Sequence, residues 1–297
     1  MTTATTVARR ERSLRELELI VTRKLDGLLQ GDHQGLTPGS GSEPGDGRVY
    51  EPGDDVRRMD WNLTARMGSA HLRTTIADRE LETWVVADTS ASLGYGTAEC
   101  EKRDLVLAAA AAFGFLTLRD GNRVGALLSG PEGTTIVRPR QGRDAVYQLL
   151  RRLERRDRAE QGATSLADAL RRARLTATKR GLVVVLTDLL DESPWERELR
   201  ALTARHEVVV AEVRDPREVA LPVVGMLTLV DPETGERVEV NTNSTRLRRR
   251  FAAAASAQLA DHDRKVRGAR ASHLVLSTDR DWMLDVVRFV AGKRRRR

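Results

Sequence analysis

Two aspartates and several hydroxyl side chains are spaced in this sequence in a way that suits the binding of a metal ion. The stretch Trp84–Ser92 reads WVVADTSAS, an apolar run that ends abruptly in Asp88, Ser90 and Ser92. Carboxylate and hydroxyl groups are hard oxygen donors, which favour Mg²⁺, Mn²⁺ or Ca²⁺ over zinc or copper. Alternatively, these side chains only cap turns and the following helix. The motif alone leaves both interpretations open.

Two later loops offer ligands of the same kind. Thr164 lies just before a predicted helix, and Asp188 closely follows the apolar strand Leu182–Leu186. Loops that leave the carboxyl ends of parallel strands lie at one edge of an α/β sheet. Capping is again the alternative for each loop, but the three loops together favour one metal site. Its predicted ligands are Asp88, Ser90, Ser92, Thr164 and Asp188.

Strand and helix patterns alternate around these loops. Short apolar runs predict strands at Leu81–Ala87, Arg123–Leu128, Thr134–Val137, Leu182–Leu186, Glu207–Val213 and His273–Leu276. Longer segments predict helices at Cys100–Leu118, Gly142–Arg156, Ser165–Ala177, Pro194–Ala204, Thr245–Arg267 and Arg280–Val290. This alternation predicts a doubly wound α/β domain with a mostly parallel sheet. Two short strand patterns interrupt this alternation and predict an inserted β-hairpin, Leu227–Val230 and Arg237–Val240.

The rest of the chain divides around this sheet domain. Apolar residues at helical spacing between Leu14 and Leu28 predict an amphipathic helix that packs on the chain's own core. A small irregular segment rich in Gly, Pro, Ser and Asp follows it. The predicted boundaries are 1–34 for the N-terminal helix, 35–79 for the irregular segment, 80–291 for the sheet domain with its hairpin insert at 216–243, and 292–297 for a basic tail.

Composition narrows the classes of function. The net charge is +7, but aromatic residues make up only 4% of the 297 residues and no nucleic-acid-binding module is present. This favours a solvated basic surface over a nucleic-acid partner. The single cysteine excludes an internal disulfide framework. No apolar run approaches the roughly 18 residues of a membrane span, and the N-terminus lacks a signal-peptide core. We therefore expect a cytoplasmic protein with no membrane role.

Catalytic motifs match less well than binding motifs. A phosphatase of the haloacid dehalogenase type needs a second aspartate two residues after the nucleophilic one, and Ser90 stands there after Asp88. There is no G-x-S-x-G elbow and no phosphate-binding P-loop, and the five histidines form no close-spaced pair. We expect a binding protein without a small-molecule substrate; a metal-dependent hydrolase of the phosphatase kind is the alternative.

A charged segment precedes the sheet domain. Residues Tyr50–Arg66 read YEPGDDVRRMDWNLTAR, in which acids and arginines alternate around a Pro-Gly turn. The segment is either a structural knot or a docking surface. Its density of opposite charges favours the knot, with Asp60, Arg57 and Trp61 holding the N-terminal segment on the sheet domain.

The predicted ligand set resembles the metal-ion-dependent adhesion site of von Willebrand factor type A domains. The resemblance covers the first-loop residues Asp88, Ser90 and Ser92, together with Thr164 and Asp188 of two later loops. It implies a bound Mg²⁺, or Mn²⁺ or Ca²⁺, whose ligand shell is completed by an acidic residue of a partner protein. Leu189 stands where many such domains have glycine.

Two further segments resemble a more specific family. Tyr50–Arg66 and Ser277–Trp282 are similar to hallmarks of the domain of unknown function 58 family, and the resemblance covers roughly residues 30–291. It implies an accessory or adaptor protein of a MoxR-type AAA+ ATPase, acting in the assembly or maturation of other proteins. The ATPase, its client protein, or both would then contact this chain.

Overall fold

The computed structural model describes residues 14–19, 21–23, 48–50, 56, 59–72, 81–118, 121–155 and 164–294. The chain forms two compact units, one comprising residues 1–36 and 81–297, the other residues 37–80. The strands are β1 (Arg48–Val49), β2 (His71–Leu72), β3 (Glu82–Asp88), β4 (Arg123–Gly130), β5 (Gly133–Arg140), β6 (Gly181–Thr187), β7 (Glu207–Arg214), β8 (Met226–Val230), β9 (Arg237–Asn241) and β10 (Ser272–Ser277). The helices are α1 (residues 14–19 and 21–23), α2 (Trp61–Met67), α3 (Lys102–Leu118), α4 (Arg143–Arg155), α5 (Leu166–Thr176), α6 (Trp195–Thr203), α7 (Thr245–Gly268) and α8 (Trp282–Arg294).

The larger unit is built around a six-stranded sheet in the order β10-β7-β6-β3-β4-β5. Neighbouring strands are parallel except for β4 and β5, which are joined as an antiparallel pair at one edge. Side chains of β3 alternate between the two faces: Val85 packs in a core with α1, α3, α4 and α8, whereas Val86 packs in a core with α5, α6 and α7. The predicted doubly wound, mostly parallel α/β fold is confirmed.

The N-terminal helix packs on the sheet domain as predicted. Leu14 and Val21 are buried in the same core as Leu149 and Leu150 of α4. The hydroxyl of Tyr147 donates a hydrogen bond to Glu18, which ties the polar side of α1 to α4. The helix therefore uses its apolar stripe within this chain.

The predicted hairpin is confirmed, and the C-terminal helix is longer than predicted. Strands β8 and β9 pair only with each other within the described residues. Helix α8 continues to Arg294, so Gly292 and Lys293, which lie in the predicted basic tail, are helical. Lys293 forms an ion pair with Glu207 of β7 and lies 5.8 Å from the centre of the Phe289 ring, which explains why the helix extends into the charged run. Residues 295–297 lie outside the described residues.

The smaller unit contains a short antiparallel pair, β1 with β2, and helix α2. Asp60 caps α2 by accepting hydrogen bonds from the backbone N–H groups of Asn62 and Leu63, both at 3.1 Å. The helix ends at Gly68, whose φ of 69° suits a glycine. Trp61, which was expected to help hold this segment on the sheet domain, is 69% exposed at the first position of α2. Arg57 lies outside the described residues. No helix in the described ranges combines the length and the apolar character needed to cross a bilayer.

Candidate metal centre

The two predicted aspartate ligands lie at the same edge of the sheet. Strands β3 and β6 are parallel neighbours with Ala87 opposite Leu186. Asp88 is the last residue of β3, and Asp188 directly follows β6. Both are buried, at 8% and 4% exposure. The register of two adjacent strands thus places two carboxylates side by side where loops meet.

The first loop folds back on Asp88. The backbone N–H of Ser90 donates to Asp88 Oδ1 at 2.9 Å, and the hydroxyls of Ser90 and Ser92 are 2.9 Å apart. Thr89 donates from both its backbone N–H and its hydroxyl to the carbonyl of Ser129, at 2.8 Å and 2.7 Å. These bonds fix the loop against β4 and bring both serine hydroxyls to the side of the sheet edge where Asp88 lies.

A second loop reaches the same carboxylate. The hydroxyl of Thr164 donates to Asp88 Oδ1 at 3.3 Å. The hydroxyl of Thr187, which is not among the predicted ligands, donates to Asp88 Oδ2 at 3.2 Å. Thr187 could have been found from its position, since it is the last residue of a buried strand. The structure therefore brings Asp88, Ser90, Ser92 and Thr164 together through direct hydrogen bonds.

Asp188 is held differently from the other predicted ligands. Its Oδ1 accepts the backbone N–H of Leu190 at 3.2 Å, and its Oδ2 accepts the ammonium of Lys102 at 2.7 Å. The same ammonium donates to Glu218 Oε1 at 2.5 Å. Lys102 and Glu218 were both missed, because isolated charged residues in a sequence are normally read as solvated. The available signal was that Lys102 begins a helix that is almost entirely apolar for several turns.

The electrostatics of the two carboxylates differ accordingly. Burial, and then the negative charge of Asp188, raise the pKa of Asp88 to about 7, against the opposing effect of hydrogen bonds from Ser90 and Thr187. A raised carboxyl pKa means that the ionised form lacks sufficient stabilisation from its surroundings. Asp188 has a cation in contact with it, whereas the hydrogen bonds described for Asp88 come from neutral groups.

Leu189 connects the site to the core behind it. Its φ is 59°, in the left-handed region that glycine occupies most easily. Its side chain is nevertheless buried beside α5 and α6, and its N–H donates to Thr187 Oγ1 at 3.2 Å. The loop thus adopts a backbone conformation that suits glycine, and the buried side chain of Leu189 holds the loop against the core.

The donor set fits a hard divalent ion. The predicted donors are two carboxylates and three hydroxyls; hydrogen bonds link the hydroxyls to Asp88, and the charge of Asp188 acts on the same carboxylate. Neither cysteine nor histidine is among these donors. Within the described part of the chain, no three or more His, Cys, Asp or Glu side chains form a group that could hold a metal ion. An ion here would therefore depend on hydroxyl ligands and on any acid that another molecule provides.

Fold and site together define the class: a doubly wound α/β protein with an oxygen-rich loop cluster at the carboxyl edge of its sheet. The family model described as "Protein of unknown function DUF58" matches residues 46–261, and the chain belongs to this family. An uncharacterized protein of Mycobacterium tuberculosis is 52% identical over 284 residues, covering 95% of this chain and 89% of the relative. One of Mycobacterium avium is 44% identical over 162 residues, covering 54% of this chain and 95% of the relative.

Solved structures with related architecture share little sequence. An aerotolerance-related membrane protein from Bacteroides fragilis has a TM-score of 0.48 at 12% identity, covering 73% of this chain and 100% of its own. The protein BatB from Bacteroides thetaiotaomicron has a TM-score of 0.44 at 13% identity, covering 72% and 99%. The SpRpn10 VWA domain has a TM-score of 0.36 at 12% identity, covering 70% and 93%.

Proposed function

We propose that this chain is a metal-dependent protein-interaction module. The observation that carries the proposal is the state of Asp88. This buried carboxylate lies beside a second one, accepts hydrogen bonds from neutral groups, and has a pKa raised to about 7. A buried charge is stable only when it is paired, and a divalent cation would supply that pairing.

The ion would be Mg²⁺ or Mn²⁺, with Ca²⁺ as a further candidate, because every ligand is an oxygen atom. Its proposed ligands are Asp88, Ser90, Ser92, Thr164 and Asp188. When bound, the ion would supply a positive centre that attracts a carboxylate of another protein. Two protein carboxylates leave room for such a group, and a charge-assisted contact in a partly desolvated site is both strong and directional.

The proposed partner is a MoxR-type AAA+ ATPase or a client protein that the ATPase acts on. The family resemblance supports this assignment, and the lack of a phosphate-binding P-loop in this sequence is consistent with it. In this arrangement the ATPase supplies the energy and this chain provides the contact. The chain would then act as an accessory or adaptor in the assembly or maturation of other proteins.

Binding is better supported than catalysis. A nucleophilic serine needs a base within hydrogen-bond reach. Ser90 and Ser92 are hydrogen-bonded to each other. Two histidines of the described residues, His262 and His273, lie away from these serines, because both contact Glu212 of β7. No histidine of the described residues is hydrogen-bonded to either serine, so these hydroxyls are better suited to holding an ion than to attacking a substrate with a histidine base.

Calorimetric titration with Mn²⁺ tests the proposal. We expect about one ion per chain for the wild type, and no measurable binding for the Asp88→Ala/Asp188→Ala double variant. Asp168→Ala is the matched control, because this exposed acid at the start of α5 lies outside the proposed ligand set. Equal affinity in wild type and double variant would contradict the metal site.

The interaction is tested with the ATPase encoded in the same organism. Co-purification should be lost in chelator, restored by Mg²⁺, and weakened by Asp88→Ala but not by Asp168→Ala. Co-purification that persists unchanged in excess chelator would rule out a metal-dependent contact.

A further inference from the structure

Lys102 is among the largest fully buried side chains in the described part of the chain, with 0% exposure. It is the first residue of α3 and is followed by a helix that faces the core through most of its length. Lysine is almost never fully buried unless its charge is paired, because removing an ammonium from water is costly. The surroundings of Lys102 must therefore compensate its charge.

Two carboxylates provide that compensation. The ammonium lies 2.7 Å from Asp188 Oδ2 and 2.5 Å from Glu218 Oε1. The first is a proposed ligand of the metal ion, and the second belongs to the short 3-10 helix Pro216–Glu218 that follows β7. Lys102 therefore lies between the proposed metal site and a neighbouring loop. Its ammonium already forms a hydrogen bond with one oxygen of Asp188, the carboxylate that the ion would use.

Glu218 is anchored independently of Lys102. Its Oε2 accepts the backbone N–H of Asp215 at 2.9 Å. Asp215 is itself fully buried and accepts hydrogen bonds from the hydroxyls of Thr97 and Thr278, at 2.6 Å and 2.7 Å. The second partner of the ammonium is thus fixed in place. If Asp188 turned toward another cation, Lys102 would keep a charged partner and could remain buried.

We propose that Lys102 is an internal cation that holds Asp188 in the ion-free protein and competes with the divalent ion for that carboxylate. Lys102 is then a positioning residue that acts through Asp188. It keeps the ion-free site folded, and it lowers the affinity of the site for its ion, so that the ion exchanges readily. The inference rests on the metal binding proposed above and adds to it a reason why occupancy would depend on a partner's carboxylate.

The variant Lys102→Met tests this, because methionine has a similar length and no charge. In chelator the variant should melt below wild type, since Glu218 and Asp188 lose their counter-charge. In calorimetry it should bind Mn²⁺ on the order of tenfold or more tightly, because repulsion between two nearby cations is removed. Mn²⁺ should then restore much of the lost melting temperature. Lys179→Met, which removes an exposed lysine paired with Glu82, is the matched control.

A second variant changes the affinity in the opposite direction and does not depend on the folding of the first. Glu218→Gln leaves the ammonium with Asp188 as its main charged partner, so Mn²⁺ should bind more weakly than to wild type. A destabilised Lys102→Met protein with unchanged or weaker Mn²⁺ affinity would overturn the inference and leave Lys102 a purely structural residue. Absence of Mn²⁺ binding in wild type and all variants would instead refute the metal site itself.

Discussion

A buried ionic cluster beneath α7 should make the stability of this protein depend on pH in a specific direction. Glu212 of β7 has no exposed surface; its Oε1 lies 2.9 Å from His262 Nδ1 and its Oε2 lies 2.8 Å from His273 Nε2. Arg214 also donates to Oε2, at 2.5 Å. The other ring nitrogen of His273, Nδ1, is 3.0 Å from Asp263 Oδ1. Because both ring nitrogens of His273 face carboxylates, both must donate, which requires the imidazolium form.

The pKa shifts give the sign of the effect. Burial alone would lower the pKa of His273, but hydrogen bonds to Glu212 and Asp263 outweigh it and raise the pKa above 6.5. Burial would likewise raise the pKa of Glu212, yet hydrogen bonds from its histidine and arginine partners hold it far below 4.5. The contribution of His273 is complete below pH 6.5 and is lost as the pH rises through its folded pKa. That of Glu212 is complete above pH 4.5 and is lost only in strong acid.

The substitution His273→Gln measures the size of this contribution. At high pH, deprotonated His273 has one donor instead of two and loses a charge-assisted hydrogen bond, worth about 1.5–3 kcal/mol. The difference in unfolding free energy between wild type and variant should therefore shrink by about that amount between pH 5.5 and pH 9. At roughly 2–4 °C per kcal/mol for a protein of this size, the difference in melting temperature should shrink by roughly 3–12 °C.

Urea denaturation at several pH values provides the measurement. Groups such as Asp88 titrate in both proteins, so their effects cancel in the difference. His206→Gln is the matched control: His206 is also buried, but burial lowers its pKa below 6.5. Its contribution is therefore lost as the pH falls, and the difference from wild type should change with the opposite sign. A wild type to His273→Gln difference that stays constant across this range would refute the ionic description of the cluster.

Three other substitutions should separate structural residues from dispensable ones in thermal melting. Trp61→Ala should change stability by less than about 0.5 kcal/mol, because the indole is 69% exposed; a large loss would show that Trp61 is buried in the folded protein. Leu14→Ala should cost about 2–5 kcal/mol, since α1 packs in the main core, and a neutral result would show that α1 is not docked. Leu189→Gly should be destabilising, because removing a buried leucine costs more than the roughly 1–2 kcal/mol gained by relieving a left-handed residue; a stabilised variant would contradict this.

The sheet and the position of Asp88 and Asp188 at its edge were predictable because one local pattern determines both. Strands β3 and β6 are buried on both faces, so each is a continuous apolar run that stops where the chain leaves the sheet. The end of the apolar run in the sequence therefore identifies the polar residue that lies at the edge of the sheet. Parallel pairing then puts Asp88 and Asp188 at the same edge without further information.

Trp61 shows where such patterns fail. Large aromatic residues are buried on average, and Trp61 lies in a dense run of charges that favoured a compact knot. In the structure, Asp60 supplies the local order by capping α2, and the next residue, Trp61, is exposed. A helix cap needs one carboxylate and two backbone N–H groups, so it stabilises the segment without burying its largest side chain.

The counter-charge of the proposed metal site could not be predicted, and the reason bears on the proposed function. A ligand motif is local, so the residues that would hold an ion can be recognised one loop at a time. Lys102, by contrast, lies 86 positions before Asp188 and 116 before Glu218, and only the packing of α3 against the sheet brings the three together. Ion affinity depends on this sum of charges as much as on the ligands. In the site we propose, the same five ligands without Lys102 would favour a resident ion. With Lys102 paired to Asp188 and Glu218, they would favour an ion whose binding is coupled to the arrival of an acidic partner.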